Sequence, residues 1–518
     1  MSASREKKLR RELREAELNG DTVKKAKKQK KPMTPMRKKK IHSIISTTLG
    51  ILVVVLFALL IFVNSGVLQK NSTAVTVGGH KLSPVEFNYF YQDTYNNLKS
   101  SYTSYGMWDY MVDTSKPIEN QKCSMSEDGG TWKEYITQTA MTSAQQVYSL
   151  YDAALDAGYT LTEDAQASLD SMPENVASYA ESNHFKNADD YLEDVYGKGA
   201  DLESYMAYMT AQQYASGYST EKTDSFTYSD DELRTYYNEK KNDFDTVSYR
   251  LFNVATENDD SAAAKEIADD MNAELDGTEK SFIDAAYEYA PEDSKESYEE
   301  DDYTLRSNSS YSSLDSDYAE WLFADGRTAG ESEVFATSSG YAVVMYLSRE
   351  NNEYNMVDVR HILVQVEKTG EADSNGNATA TDEDWDACRE KMDEIVKEWE
   401  DSDQTEDTFA SMATEKSEDT GSASNGGLLE DVYKGQMVPE FNDWCFEKHE
   451  IGDYEVVETD YGCHLIYFSA TGDERWKTLA DNAKRSEDYQ AWYEDYSASY
   501  AGKTNFFGQW FTNKELAA

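Results

Sequence analysis

One three-segment pattern occurs twice in the second half of this chain. Val247-Ser248-Tyr249-Arg250-Leu251-Phe252-Asn253-Val254 matches Val357-Asp358-Val359-Arg360-His361-Ile362-Leu363-Val364. Tyr318-Ala319-Glu320-Trp321-Leu322-Phe323 matches Phe441-Asn442-Asp443-Trp444-Cys445-Phe446, and Ser339 to Tyr346 matches Tyr461 to Phe468. Order and approximate spacing agree in all three, so one domain type is expected twice, over 246–350 and 355–473. The outer segments are rich in apolar and β-branched residues and read as buried strands. In the second copy each of these strands holds a histidine, His361 and His464, in a chain with only six. Two inward histidines in matching settings predict a shared pocket. Leu251 and Ala342 stand at those places in the first copy, which is therefore expected to keep the core pattern and to be inactive.

Between the histidine strands lie Asn425-Gly426-Gly427 and Gly435-Gln436-Met437-Val438-Pro439-Glu440-Phe441, both missing from the first copy. Taken in order with the two histidines, these segments resemble the parvulin family of peptidyl-prolyl cis/trans isomerases. The resemblance covers about 115 residues. It implies that His361 and His464 are the family's paired histidines. It places Asp419, in Ser417-Glu418-Asp419-Thr420, where the family has Asp or Cys, and Thr459 at a hydroxyl position linked to the histidines. These four are the expected catalytic residues, and Leu428, Met437 and Phe441 the expected proline-binding ones. Leu428-Leu429-Glu430-Asp431 departs from the Asp-Leu-Gly-aromatic run of many members. The segment from Gln365 to Glu371 lacks the basic cluster of phosphate-directed members, so no phospho-Ser/Thr-Pro requirement is expected.

The chemistry implied is modest in its needs. Rotation about a peptide C–N bond faces a barrier of roughly 18–20 kcal/mol because conjugation must be broken. An X-Pro bond therefore isomerises slowly when unaided. An apolar pocket around the proline ring removes the water that favours the planar amide. Polar groups beside it then stabilise the twisted carbonyl selectively. No covalent intermediate, cofactor or metal is called for. Cys463 beside His464 is no nucleophile dyad, since adjacent strand residues point to opposite faces. The four cysteines form no C-x-x-C pair and read as free, partly buried thiols, with Cys445 and Cys463 left open as a pair.

Charge and hydropathy place the chain. The first forty residues carry sixteen Lys or Arg against five Asp or Glu, leaving about −60 for residues 41–518 of a chain at −49 overall. Residues 1–40 read as a basic cytoplasmic arm and 41–63 as a transmembrane anchor. The apolar run from Ile41 to Val63 spans roughly 35 Å as a helix, enough to cross a bilayer core. Arg37-Lys38-Lys39-Lys40 beside it puts the N-terminus in the cytoplasm by the positive-inside rule. No A-x-A cleavage pattern follows, so an uncleaved single-pass anchor in the cell membrane is expected, with the bulk of the chain outside the cytoplasm. The acidity of that bulk excludes a nucleic-acid function.

Residues 72–245 read as a helical module. Ala74 to Val77 is a short strand and Gly78-Gly79 its turn; Ser83-Pro84-Val85-Glu86 opens a helix with a capping box, and Thr131 to Glu134 opens another. Helical patterns follow over 163–180, 189–216 and 230–244, with Tyr and Met on the apolar faces. The tail, 476–518, reads as a helical segment to about Gln509, packing back on the N-terminal helical region. The fold class expected is α+β: one N-terminal transmembrane helix, a helical chaperone-like module, two tandem parvulin-like domains with the first degenerate, and a C-terminal helix. That arrangement resembles extracytoplasmic foldases of the PrsA/SurA type. It implies, as partners, unfolded or partly folded secreted proteins containing X-Pro bonds, the membrane through one helix, and compatibility with a homodimer. The alternatives are a catalytically inactive holdase chaperone and a surface binding scaffold.

Overall fold

The computed structural model describes residues 7–8, 10–12, 14–15, 35–63, 65–256, 260–372 and 378–512, with side chains in the first long helix described from 46 onward. Most of the basic arm, and residues 373–377 of the polar loop after the first histidine strand, lie outside the described residues. Helix α1, Pro35–Val63, contains the apolar run. Its stretch Ser46–Val63 has a mean hydropathy of 2.8, and none of its residues is buried in the protein.

The chain divides into two compact units, 1–218 with 497–518, and 219–496. In the first, β1 (Val75–Val77) and β2 (His80–Leu82) form the expected hairpin about Gly78-Gly79. A strand from the tail, Lys503–Thr504, pairs with β1 through Val75 and Thr76, so the tail is not wholly helical. Helix α2, Pro84–Ser104, starts on the capping box of Ser83 and Glu86, with Pro84 in its first turn. Helix α3, Trp132–Ala157, starts on that of Thr131 and Glu134 and ends on left-handed Gly158. Helix α4 follows at Glu163–Ser182. The single helix expected over 189–216 is two, α5 (Ala188–Tyr196) and α6 (Leu202–Asp224). Gly197 and Gly199 break it, because both take φ values, +97° and +91°, that no helix accommodates. The aromatic faces are core: Phe87, Tyr89, Tyr91 and Trp132 are wholly buried.

In the second unit, helix α7 (Asp230–Glu239) leads into two sheets of the same design. The first contains β3 (Thr246–Ala255), β4 (Leu305–Ser310), β5 (Ser332–Thr337) and β6 (Gly340–Glu350) in the order β4-β3-β6-β5. Helices α8 (Ser261–Glu274) and α9 (Glu279–Tyr289) cover one face, and α10 (Ser316–Leu322) the other. The second sheet has β7 (Asn355–Gln365), β8 (Leu428–Val432), β9 (Tyr454–Thr459) and β10 (Gly462–Glu474) in the order β8-β7-β10-β9. Here α11 (Asp382–Glu400) and α12 (Glu406–Lys416) cover one face, through Ile362, Val364, Trp399, Phe409 and Leu465. Helix α13 (Pro439–Cys445) covers the other, through Val359, Phe441, Trp444 and Ile466.

The two copies share one strand register. Leu251 faces Val344 and Asn253 faces Ala342 across β3 and β6; His361 faces Ile466 and Leu363 faces His464 across β7 and β10. Leu251 and Ala342 thus occupy the histidine places in space as well as in sequence. Helix α14, Arg475–Ser497, packs on α7: Leu233, Tyr237, Trp476 and Ala480 form one buried cluster, and Tyr236 Oη donates to Glu487 at 2.7 Å.

Candidate active site

The site lies on the α13 face of the second sheet. Alternation along β7 and β10 turns Val359, His361, His464 and Ile466 to this side, and Ile362, Val364, Cys463 and Leu465 to the helical layer. His361 Nδ1 is 3.2 Å from His464 Nδ1, and the two rings lie edge to edge and nearly coplanar, with centroids 5.5 Å apart and planes at 16°. The ring of Phe441, on α13, meets both edge-on, at 5.5 and 5.4 Å.

Two further groups close the chain of polar contacts. Asp419 Oδ2 lies 2.9 Å from His361 Nε2, and Thr459 Oγ1 lies 2.9 Å from His464 Nε2. His361, His464 and Thr459 are buried while Asp419 is partly exposed. Burial holds the pKa of His361 below its ordinary value, against the pull of Asp419. Burial, with the neighbouring His361, brings that of His464 down to about 4, again against Asp419. Burial opposes ionisation of Asp419. Hydrogen bonds from Ser422, the Gly421 N–H and His361 outweigh it and hold the carboxyl at about 2. Near neutral pH the site is therefore one carboxylate and two neutral imidazoles.

That charge state fixes the protons. Asp419 can only accept, so His361 carries its hydrogen on Nε2 and donates to it. His361 Nδ1 is then a lone pair, which His464 satisfies from Nδ1–H. His464 Nε2 is left as acceptor for the Thr459 hydroxyl. All the bonds run in one direction, from threonine to carboxylate, and each buried imidazole nitrogen has a partner.

The backbone around Asp419 is held by the same strand. Leu363 N–H donates to Ser417 Oγ at 3.1 Å, and Glu418 N–H to Leu363 O at 2.8 Å. Ser422, absent from the sequence expectation, is buried, donates to Asp419 Oδ2 at 2.5 Å and lies 3.0 Å from His361 Nε2. Its signal is the three-residue spacing after Asp419: the Ala423 N–H bonds to Asp419 O, a single turn that brings Ser422 back over the carboxylate. Arg360 is a second missed contributor. It reaches Glu406 on α12 and donates to the carbonyls of Asn425 and Gly426 at 3.2 and 3.0 Å, clamping the Gly-Gly turn against β7.

Of the three expected pocket residues, Phe441 and Met437 lie in the cluster that covers the sheet beside the histidines. Leu428 does not. It pairs with Arg360 and so shares the α12 face, while Leu429 pairs with Val359 and packs into the Phe441 cluster. The Gly-Gly turn ends one residue before β8, and strand alternation then presents the second leucine, not the first.

A four-stranded antiparallel sheet covered on both faces, with a buried histidine pair beneath the ring of Phe441, defines a parvulin-type domain. Residues 341–471 match the PPIC-type PPIase domain family, and residues 228–355 match it as well. The chain thus carries two parvulin-type peptidyl-prolyl isomerase domains in tandem. Among curated relatives, it is 46% identical over 72 residues to the foldase protein PrsA of Geobacillus kaustophilus, covering 14% of this chain and 25% of that one. It is 36% identical over 112 residues to PrsA of Staphylococcus epidermidis, covering 22% and 31%. It is 29% identical over 170 residues to the chaperone SurA of Pseudomonas syringae pv. tomato, covering 30% and 36%. The matches span about a quarter to a third of the relatives' own lengths.

Proposed function

We propose that the chain is a membrane-anchored foldase whose second parvulin-type domain, 355–473, isomerises X-Pro bonds in unfolded proteins just after export. The observation that carries this reading is the unbroken line from Thr459 through His464 and His361 to Asp419, lying directly under Phe441. Phe441 and Met437 hold the proline ring and exclude water. The histidine pair, neutral and bonded at every nitrogen, keeps the floor of the pocket rigid. Asp419 acts as a fixed negative charge beside the twisting carbonyl and not as a general base, since its carboxyl is held at about 2. The first parvulin-type domain, 246–350, offers Leu251 and Ala342 in the histidine places and takes no part in the chemistry.

Helix α1 supplies the anchor, with residues 1–40 in the cytoplasm and the remainder outside. The helical module 72–245, with the tail 476–518, holds clients by chaperone contacts. These roles rest on the exposed apolar helix, on the charge step across it, and on the kinship with PrsA and SurA.

The test is isomerisation of an unphosphorylated Ala-Pro peptide by the full-length chain in detergent, beside a variant carrying His464→Ala and Met437→Ala. Acceleration that the variant loses supports the enzyme and its site. A folded chain that suppresses aggregation without accelerating isomerisation is a holdase instead. Protease access to residues beyond Val63 in intact, right-side-out membranes tests the location.

A further inference from the structure

Two cysteines meet where the site requires none. Cys388, on α11, places its Sγ 3.0 Å from Sγ of Cys463, on β10, immediately before His464. Both are buried in the layer between the sheet and α11, packed among Val364, Met392 and Leu465. The other cysteines are elsewhere: Cys445 is in the cluster on the opposite face of the sheet, and Cys123 lies in the other unit. The sheet itself separates Cys445 from Cys463, the pair left open by the sequence.

We propose that Cys388 and Cys463 are a site of disulfide formation that ties α11 to β10 once the chain has been exported. This inference rests on the extracytoplasmic location proposed above and not on the isomerase chemistry. A disulfide needs sulfurs at about 2.05 Å, so closure asks for about 1 Å of approach, within reach of small side-chain rotations. Each thiol loses its proton and the pair gives up two electrons. The acceptor is a second disulfide, either a low-molecular-weight one or that of a thiol–disulfide oxidoreductase, which leaves as two thiols. Burial and the Cys388 contact raise the Cys463 thiol to about 12, so the folded protein presents little thiolate and no access. The bond therefore forms during folding or through transient opening of α11, and once formed it is shielded from reductant by the same burial.

The consequence is mechanical and not catalytic. Cys463 faces the helical layer and His464 the opposite side, so the crosslink leaves the pocket untouched. It closes a loop of 75 residues, long enough for a crosslink to restrict the unfolded chain strongly.

Full-length chain, purified in detergent under reduction, is equilibrated with a mixture of oxidised and reduced glutathione until its thiol content stops changing. It is then alkylated in denaturant and mapped by mass spectrometry. The expected result is two alkylated cysteines, 123 and 445, and a linked peptide containing 388 and 463. Four alkylated cysteines, or any other linked pair, overturn the proposal. The crosslinked chain is expected to melt on the order of 5–10 °C above the reduced chain, and Cys388→Ser is expected to lose that increment while keeping the reduced chain's Tm. Prolyl isomerisation followed on the same samples is expected to agree within twofold between oxidised and reduced forms. Loss of isomerisation with the link intact counts against the isomerase alone, and a missing link in an active chain counts against this proposal alone.

Discussion

His361 and His464 are diagonal neighbours on adjacent antiparallel strands, neither being the other's direct cross-strand partner. His361 sits opposite Ile466 and His464 opposite Leu363, and the imidazoles meet across the diagonal with Nδ1 atoms 3.2 Å apart. Diagonal neighbours stand about 7–8 Å apart at the backbone, which leaves room for two rings to lie side by side and bond edge to edge. The offset also aims the outer nitrogens in opposite directions, one toward Asp419 and the other toward Thr459. A directly opposed pair would have crowded both rings over one point of the sheet.

Thr459 is the donor that ends this line, so its hydroxyl has an energetic role separable from its bulk. In Thr459→Val the shape is kept and His464 Nε2 becomes a buried acceptor without a donor, which costs about 1–3 kcal/mol of stability. The loosened imidazole is expected to lower kcat/KM by about tenfold, equivalent to about 1.4 kcal/mol of transition-state stabilisation. Thr459→Ser restores the donor and most of both losses. Urea unfolding and peptide isomerisation on the three proteins check this; a valine variant with unchanged activity would remove Thr459 from the site.

Acid should weaken the fold in a defined window. The folded chain holds His464 at about 4, below the ordinary 6.5, because the pocket buries it. Between these values the unfolded chain binds a proton that the folded chain refuses. Stability is therefore fully present above 6.5 and is lost as pH falls toward 4, by about 3 kcal/mol. Asp419, held at about 2 against an ordinary 3.8, adds a further loss as pH falls from 3.8 to 2. Tm measured from pH 7.5 to 4.5 should fall, and more steeply than in His464→Asn, which has no proton to gain. Parallel curves for the two proteins would refute the buried neutral imidazole.

Much of this was legible beforehand because it rests on alternation and repetition. The strand pattern around His361 and His464 fixed which face each histidine takes, and the internal repeat fixed the sheet register that Leu251 and Ala342 share with them. What escaped the sequence depended on turns. Ser422 reaches Asp419 only because one helical turn returns it there. Leu429 takes the place expected of Leu428 because strand phase after the Gly-Gly turn depends on where pairing with β7 resumes. The break of the 189–216 helix at Gly197 and Gly199 was marked by two glycines, but apolar periodicity on both sides outweighed them. The tail strand at Lys503–Thr504 pairs with β1 from the far end of the chain, a contact no local pattern signals.

Gly427 is a turn position where a side chain has nowhere to go. Its φ is +69°, and a Cβ there would lie 2.3 Å from the carbonyl oxygen of His361, backbone that cannot yield without moving the histidine. Gly427→Ala is therefore expected to cost at least about 1–3 kcal/mol and to displace β7 at the site. Isomerase activity should fall by more than the unfolded fraction accounts for, read as kcat/KM per folded molecule at 10 °C. Full activity per folded molecule would mean that the turn and His361 are not coupled.

Tyr318 and Phe441 occupy the same place in the two copies, each at the start of the short helix that covers the sheet face opposite the long helices. Both are buried, so both should matter for folding: truncation to alanine is expected to cost on the order of 3 kcal/mol at either position. Their consequences for chemistry should part. Phe441 lies edge-on to His361 and His464, and its loss opens the imidazoles to water; Tyr318 lies against Tyr249 and Phe335, with leucine and alanine in the histidine places. Phe441→Ala is expected to lower kcat/KM at least tenfold per folded molecule, while Tyr318→Ala leaves it within twofold of the parent. Prolyl isomerisation by the full-length variants, normalised to folded protein by circular dichroism, measures the difference. Equal losses at both positions would mean that the first copy acts on the substrate after all, and that its leucine and alanine have not silenced it.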